Sequence, residues 1–371
     1  GITGAICAYL FADAGIRVAL LESKITGRGS TVASTALLMQ EPDRDFSDLT
    51  GRFGHAATRD IWKALARATR DLVKTMRALK LNARLSECDS VYFTCDPRKV
   101  KGLRDEYDAR KAAGLTGRWL SAASLHRRTG IKAEAAILTA GNAQVNPVLA
   151  CRGFLAAAAG RGARIFERSH ARRVKASKAG VEVRTKGGTV TASRIIVATG
   201  YATAEFRGLV GRFRINDTYV IATTPRRTSR RKRVMAWDTD RPYHYFRWTD
   251  EGRLLLGGED TRHRTSKGSR QRIARARAGL TAYLAQIYPD LADAKLEYAW
   301  EGMFAVTPDG LPYVGEHSRY PRHLFALGYG GNGITASFLA ARTLLDLYQE
   351  SDNGRRARAT ANLFAFGRGR R

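Results

Sequence analysis

The first 22 residues place the strongest constraint on the fold. Gly1 and Gly4 precede an apolar stretch whose hydrophobic residues recur at helical spacing. Gly15 predicts the end of this helix, and the sequence VALLE then predicts a short strand that ends at Glu22. Two glycines at a helix start, with an acidic strand end about 20 residues later, are typical of the second half of a dinucleotide-binding fingerprint. The first strand and first glycine of that fingerprint would precede Gly1, so we expect an N-terminally truncated sequence.

Three later features favour a dinucleotide ligand over the alternative that Gly1 and Gly4 merely begin a helix and bind nothing. Ala198-Thr199-Gly200 follows the predicted strand RIIVA, and residues 328–333 place several glycines before a long apolar helix. Such a helix N-terminus binds negatively charged groups through its free backbone N–H groups. Residues 28–34 add a loop of small and hydroxylic side chains. A chance match to one feature is easy, but four in this order favour a nucleotide cofactor.

The rest of the pattern predicts alternating helices and strands, followed by an antiparallel region. Helices are expected at 57–79, 147–159, 270–287 and 334–348, and strands at 90–95, 181–185, 189–197, 219–224, 233–237, 243–248, 253–258 and 323–329. Residues 96–143 look like a charged, irregular cap or insertion. Residues 353–371 are polar and basic, so we expect this end of the chain to be frayed.

Composition excludes several classes of protein. The formal net charge is +29, yet 44% of the residues are hydrophobic, which excludes a disordered basic tail. The densest basic cluster lacks the interleaved aromatic residues that nucleic-acid stacking requires, so we expect a solvated loop and no specific nucleic-acid site. This cluster consists of Arg226, Arg227, Arg230, Arg231, Lys232 and Arg233.

Cysteine usage and hydropathy bear on the compartment. The four cysteines show no CxxC spacing, which favours a reducing compartment and hence the cytoplasm. No stretch approaches the roughly 20 apolar residues of a membrane span. We therefore expect no membrane span.

With these motifs in place, the chain resembles the FAD-dependent oxidoreductases of the D-amino acid oxidase (DAO) superfamily, which includes glycine, sarcosine and γ-glutamylputrescine oxidases. The resemblance rests on GITGA with LLE, GSTVASTALL, QVNP, IIVATGY, RLLLGGED, WEGMF with TPDGLPYVG, and GYGGNGIT. It implies a mixed α/β fold: a glutathione-reductase-like FAD-binding domain plus an antiparallel-sheet substrate domain. The FAD-binding domain would comprise 1–89, 145–215 and 313–371, and the substrate domain 90–144 and 216–312.

The resemblance also implies a set of cofactor-binding residues. Val174 would offer backbone groups to the adenine, and the turn at 330–334 would face the flavin ring. No Cys lies near TPDG and no His lies in GRGST, so we expect non-covalent FAD and no metal site. The residues implied to contact FAD are Gly1, Gly4, Glu22, Ser30, Thr31, Val174, Ala198, Gly200, Gly330, Asn332, Gly333 and Ile334.

The implied reaction is oxidation of a CH–NH group by hydride transfer to flavin N5. The partners would be a small amine or amino acid and O₂ or another electron acceptor. One alternative is a dehydrogenase of the same fold that passes electrons to a quinone or a protein. Another is a catalytically inactive protein that binds polyanions through its basic surface.

The sequence departs from the family pattern at Phe304, where glycine and D-amino acid oxidases carry an Arg that binds the substrate carboxylate. This departure favours an amine, or a carboxylate held elsewhere, unless Arg247 substitutes. Alternation in YHYFRW places Tyr243, Tyr245 and Arg247 on one face, and we predict that these catalytic candidates line the site. The alternative is that this face is the solvated one. Trp300 is a further candidate for the wall of the substrate pocket, although a position in the core is the simpler interpretation. His244 has no partner at a spacing typical of metal ligands, so we do not expect it to bind a metal.

Overall fold

The computed structural model describes residues 1–201, 204–226, 233–263, 269–349 and 354–368, and these form a mixed α/β architecture. The described helices are α1 (Ile2–Asp13), α2 (Ser30–Ala33), α3 (Phe46–Phe53), α4 (His55–Ala78), α5 (Val100–Ala112), α6 (Ala122–Thr129), α7 (Pro147–Ala159), α8 (Arg207–Val210), α9 (Ser269–Ile287), α10 (Gly333–Gln349) and α11 (Gly354–Phe364). Short 3₁₀ turns occur at Pro97–Lys99, Ala204–Phe206 and Pro289–Leu291.

The strands of the same residues form four sheets. They are β1 (Ala19–Leu21), β2 (Leu37–Leu38), β3 (Ser86–Thr94), β4 (Arg118–Ser121), β5 (Ala135–Gln144), β6 (Arg164–Phe166), β7 (Arg173–Ala176), β8 (Val181–Arg184), β9 (Thr189–Ala192), β10 (Ile195–Gly200), β11 (Arg214–Thr223), β12 (Met235–Asp238), β13 (Tyr245–Trp248), β14 (Leu254–Arg262), β15 (Leu296–Val306), β16 (Tyr313–His317) and β17 (Tyr320–Leu327).

The largest sheet has the strand order β15-β11-β14-β13-β12-β3-β5-β2, with β4 also paired to β5. All of its pairs are antiparallel except β12 with β3. As predicted, β13 and β14 form a hairpin, in which Tyr245 lies opposite Gly257. The predicted cap at 96–143 is more regular than expected, because β4 and β5 within it join this sheet.

The smaller sheets and the first helix form the other part of the core. Strand β1 pairs in parallel with β6. Strand β10 pairs in parallel with β17, and β17 also pairs with β16, in the antiparallel direction. Helix α1 packs against both α7 and α10, and its residues from Ile2 to Ala12 are almost all buried. The predicted apolar stripe therefore extends around the whole helix, as expected for a helix enclosed by neighbours.

Two predictions about regular elements were wrong. Residues 189–197 form two strands rather than one, because β9 pairs with β8 whereas β10 pairs with β17 in another sheet. The C-terminal region is not frayed throughout, because α11 packs on α10 with Phe364 buried, and Phe366 after this helix stacks on Tyr313. Most of the predicted basic cluster, at 227–232, lies outside the described residues.

The division into two domains stays a prediction. The largest sheet contains β2, the first residues of β3 and the first residues of β11, which the predicted boundaries assign to the FAD-binding part. None of the described helices is long and apolar enough to cross a membrane.

Asn146 caps the helix that packs on α1, and its loss gives a first stability prediction. Its side-chain oxygen accepts hydrogen bonds from the backbone nitrogens of Val148 and Leu149, at 3.1 and 3.0 Å. Asn146→Ala is expected to lower the free energy of unfolding by about 1 kcal/mol, because two helix N–H groups lose their acceptor. Urea unfolding measures the loss. An unchanged midpoint would contradict the cap, whereas Asn146→Asp should retain most of the stability.

Candidate active site

One large cavity lies between the small sheets and the largest sheet. Its volume is about 1500 Å³, larger than the roughly 300–1,000 Å³ of ordinary ligand pockets. All twelve predicted cofactor-contacting residues line it, and so do Tyr243, Tyr245 and Phe304. The structure therefore brings together segments that are far apart in the sequence and leaves room for two ligands side by side.

The N-terminus of α1 forms one wall of this cavity. Gly1 is its N-cap residue and provides no side-chain cap. The backbone nitrogen of Ile2 donates to Thr31 Oγ1 at 3.0 Å, and a Cβ on Gly1 would lie only 3.0 Å from the same oxygen. A Cβ on Gly4 would touch Leu20 in β1 at 3.6 Å. Glycine at these positions permits the close approach of backbone to ligand and of helix to strand.

The glycine turn before α10 forms a second wall. Gly330 has a φ of +63° and donates its N–H to Ala305 O at 3.1 Å. The side-chain nitrogen of Asn332 donates to the carbonyls of Met39 and Glu41, at 2.7 and 2.9 Å. These bonds fix the turn to β15 on one side and to the 39–41 segment on the other.

Asp43 closes this turn, although no sequence pattern singles it out. Its carboxylate accepts hydrogen bonds from the backbone nitrogens of Gly331 and Asn332, at 2.5 and 3.1 Å. Burial raises the pKa of Asp43 to about 6, against the opposing effect of these two N–H groups and of the Arg44 and Arg241 charges. Asp43 is therefore an ionisable group on the cavity wall that titrates near neutrality.

Tyr245 in β13 and Tyr243 in the loop just before it both line the cavity, as the alternation predicted. Their ring centroids are 5.9 Å apart, and the Tyr245 hydroxyl lies 2.9 Å from Thr218 Oγ1. A Cβ on Gly331 would meet the Tyr243 hydroxyl at 2.5 Å. The Tyr243 hydroxyl therefore lies against the glycine turn near Asp43, and the Tyr245 ring lies next to that of Tyr243.

Arg247 is placed differently from the prediction, because it does not line the cavity. Its guanidinium is buried and donates to the backbone carbonyls of Thr35 and Val145, the latter at 3.1 Å. Burial lowers the pKa of Arg247 to about 10. Its donors tie β13 to neighbouring segments, so Arg247 does not replace the arginine missing at Phe304.

Trp300 also lies away from the cavity lining. Its indole nitrogen donates to Ala33 O at 3.0 Å, which holds α2 against β15. The simpler interpretation of this residue, as part of the packing, fits that position.

Comparison with known proteins identifies the family. A family model described as FAD dependent oxidoreductase (DAO) matches residues 1–347. The chain belongs to this DAO family. It is 25% identical to glycine oxidase from Bacillus licheniformis, over 94% of this chain and 90% of that protein. It is 23% identical to gamma-glutamylputrescine oxidoreductase from Escherichia coli (strain K12), over 98% of this chain and 84% of that protein.

A solved structure shows the same fold. Glycine oxidase from Geobacillus kaustophilus matches with a TM-score of 0.79 at 22% identity, covering 95% of this chain and 93% of that one. The predicted family, the mixed α/β fold class and FAD as the cofactor are thereby confirmed. Non-covalent attachment of the flavin stays a prediction.

The cavity fits FAD on structural grounds. The N-cap residue of α1, Gly1, provides no side-chain acceptor, so apart from the Ile2 N–H, which donates to Thr31, the described N–H groups of the first turn are left for a pyrophosphate. Glu22 lies beside it at the end of β1, where an acidic residue accepts hydrogen bonds from ribose. The volume also exceeds what a substrate alone needs.

His244 has partners that the sequence did not reveal. Its ligand atom and those of Asp238 and Asp240 lie within 4.8 Å of one another. However, Asp238 already accepts hydrogen bonds from the backbone nitrogens of Asp240 and His244, from His244 Nδ1 at 2.8 Å and from the Tyr283 hydroxyl at 2.5 Å. A metal ion would have to displace these bonds, so the absence of a metal site remains our prediction.

Asp260 yields a prediction about pH and stability. Burial raises its pKa to about 6, Asp43 and Glu259 raise it further, and Thr218 and His244 oppose the rise. One carboxylate oxygen is buried without a hydrogen-bond partner among the described residues. Because the folded-state pKa is raised, the contribution of Asp260 to stability is fully present below about pH 4 and is lost as the pH rises through about 6.

Asp260→Asn is therefore expected to increase the free energy of unfolding at pH 8 by about 1–2 kcal/mol, with the gain vanishing near pH 4. Urea unfolding at both pH values measures this difference. The exposed Asp290 provides the control, since Asp290→Asn should change neither value. A gain for Asp260→Asn that is equal at both pH values would argue against a raised pKa.

Proposed function

We propose that the enzyme oxidises a CH–NH group of a small amine or amino acid by hydride transfer to N5 of FAD. The observation that carries this proposal is the shared cavity, in which the residues predicted to contact FAD and the Tyr243–Tyr245 pair line one continuous space. The names of the relatives support the substrate class, since one is a glycine oxidase and another a gamma-glutamylputrescine oxidoreductase.

In this proposal, different walls of the cavity have different roles. The α1 N-terminus and Thr31 would hold the pyrophosphate, Glu22 would hold the ribose, and the turn at 330–334 would hold the flavin end. FAD, when bound, supplies the hydride acceptor. The protein itself positions the substrate and excludes water from the reacting carbon.

The substrate lies against Tyr243, Tyr245 and Asp43. The carbon next to the nitrogen loses a hydrogen with two electrons, and the nitrogen lone pair forms the C=N bond of an iminium ion. Water adds to the carbon of this ion, and its hydrolysis gives a carbonyl compound, a proton and either ammonia from a primary amine or a smaller amine from an N-substituted one. Since only a neutral nitrogen can supply its lone pair, a protonated amine must first lose a proton, and the carboxylate of Asp43 on the cavity wall is the group that accepts it.

Anaerobic flavin bleaching over a panel of small amines and amino acids tests this function. We expect the absorbance near 450 nm to fall with at least one member of the panel, at a rate that saturates with concentration. A flavin-loaded chain that no member of the panel reduces would overturn the proposal. That result, together with tight binding of heparin, would favour the alternative of an inactive polyanion-binding protein.

Reoxidation distinguishes an oxidase from a dehydrogenase. We propose O₂ as the acceptor, because both glycine oxidases in the comparison are named as oxidases. Stoichiometric peroxide release under air is the expected result. A reduced flavin that is stable in air but is reoxidised by a quinone would instead support the dehydrogenase.

We also propose that the enzyme works in the cytoplasm and binds no specific nucleic acid. All four cysteines are free, which is the usual state in a reducing compartment. Redox-sensitive labelling of the thiols in cells would test the compartment. A salt-insensitive preference for one nucleic-acid sequence would contradict the second part.

A further inference from the structure

Two arginines from distant segments line the cavity, and one of them lies beside Tyr243. Arg110 comes from α5 and Arg241 from the loop between β12 and β13. Neither position stood out in the sequence. Both lie beside Asp45, which also lines the cavity. They are therefore candidates for binding a substrate carboxylate, which Phe304 cannot do because it has no hydrogen-bond donor.

Arg110 is a buried cation with an unused donor. It is 4% exposed, and its guanidinium stacks on the Trp62 ring at 4.5 Å. Its Nε donates to Glu106 at 2.7 Å, but Glu106 also accepts from the backbone nitrogens of Phe46 and Ser47. The Nη1 atom of Arg110 is buried and has no hydrogen-bond partner among the described residues. A buried donor without a partner is unfavourable, and a ligand oxygen would satisfy it.

Arg241 is held loosely beside it. Its Nη1 donates to Asp240 O at 2.8 Å, while its Nη2 is 3.5 Å from the Tyr92 hydroxyl. Its guanidinium lies 5.9 Å from the centre of the Tyr243 ring, and its side chain is 46% exposed. It can therefore reach a ligand at the Tyr243 end of the cavity.

Asp45 lies between the two guanidinium groups without engaging either one fully. Its oxygens are 3.7 Å from Arg110 and 3.6 Å from Arg241, which are ion-pair distances but longer than hydrogen bonds. Both arginines therefore retain donors for a carboxylate, which accepts such groups at two oxygens.

We propose that Arg110 and Arg241 form a subsite for a substrate carboxylate that lies several carbons away from the oxidised nitrogen. This proposal rests on the proposed function, in which the nitrogen lies near Tyr245 and Asp43. The printed contacts of Arg110 are with Asp45, Glu106 and two aromatic rings rather than with the glycine turn, and for this reason we place the carboxylate several carbons from the nitrogen. The preferred substrates are ω-amino acids and related N-substituted acids rather than α-amino acids.

The test compares pentylamine, 5-aminopentanoate and glycine on the full chain in saturating FAD. We expect kcat/KM for 5-aminopentanoate to exceed that for each of the other two by about tenfold or more, as a charge-assisted hydrogen bond provides. Arg241→Gln should lower that advantage over pentylamine about tenfold, through KM and not kcat. Arg104→Gln is the control, because it removes one arginine charge from α5, the helix that carries Arg110, at a position that does not line the cavity.

A binding measurement separates failure of this subsite from failure of the proposed function. Glutarate has no C–N bond to oxidise, and calorimetry on the FAD-loaded chain should show that it binds about tenfold more weakly to Arg241→Gln and to Arg110→Lys. Arg110→Lys keeps the charge but loses the planar fork, and its melting temperature reports whether it folds. Equal glutarate affinity in the wild type and Arg241→Gln would overturn the subsite, even if amines reduce the flavin. Glycine outpacing 5-aminopentanoate would overturn it as well.

Discussion

Replacing Gly330 by alanine is expected to remove most of the bound FAD. The backbone φ of +63° is unfavourable for a residue with a Cβ, by about 1–2 kcal/mol. The added Cβ would also lie 2.0 Å from a carboxylate oxygen of Asp43, so either Asp43 or the turn must move. Since the turn lines the cofactor cavity, we expect the dissociation constant for FAD to rise about tenfold or more, equivalent to about 1.4 kcal/mol.

Gly114→Ala is the matched control for this variant. Gly114 has a similar φ of +71°, but no atom lies within 4 Å of a Cβ at that position. Both variants should lose some thermal stability, whereas only Gly330→Ala should lose flavin. Fluorescence titration with FAD measures both constants. Equal FAD affinity in the two variants would show that the 330–334 turn does not hold the cofactor.

A second large effect is expected from Gly257→Ala. Gly257 lies opposite Tyr245 in the β13–β14 hairpin, and a Cβ there would fall 2.3–2.6 Å from the ring and hydroxyl atoms of Tyr245. The ring must therefore tilt away, which breaks the contact of its hydroxyl with Thr218. Displacement of a positioning group by about 1 Å can cost on the order of 100-fold in rate. We expect a fall of that order in the rate of flavin reduction by the best amine.

Tyr245→Phe distinguishes the position of the ring from the role of its hydroxyl. This variant keeps the ring in place, so we expect a smaller loss, of about tenfold, from the missing hydrogen bond. Stopped-flow reduction under nitrogen measures both variants, and the FAD content of each should match the wild type. A normal rate in Gly257→Ala would mean that the Tyr245 ring does not act on the substrate.

Much of the cofactor side of the cavity could be predicted from local sequence. Glycine before a helix and an acidic residue after a strand reflect short-range requirements of the backbone, so Gly1, Gly4 and Glu22 were identifiable. The glycines at 330–333 were identifiable for the same reason. Strand alternation likewise placed Tyr243 and Tyr245 on one face.

The remaining site depends on long-range contacts. Asp43 is one of three acidic residues in EPDRD, and only its pairing with Gly331, 288 residues away, sets it apart. By alternation Arg247 shares a strand face with Tyr245. However, its long side chain donates hydrogen bonds to the carbonyls of Thr35 and Val145 and so does not line the cavity. The run at 189–197 favours strand throughout, and local sequence does not encode that its two halves join different sheets.

The hydrogen bonds around Asp238 have a consequence for how ligands are selected. Four donors from Asp240, His244 and Tyr283 converge on this buried carboxylate, and the loop that they hold carries Arg241 and Tyr243. The cavity wall is thus ordered when the chain folds rather than when a ligand arrives. Preorganisation of this kind avoids loss of conformational entropy on binding. A ligand must then match a fixed template, and a mismatched spacer length will be rejected by shape as well as by charge.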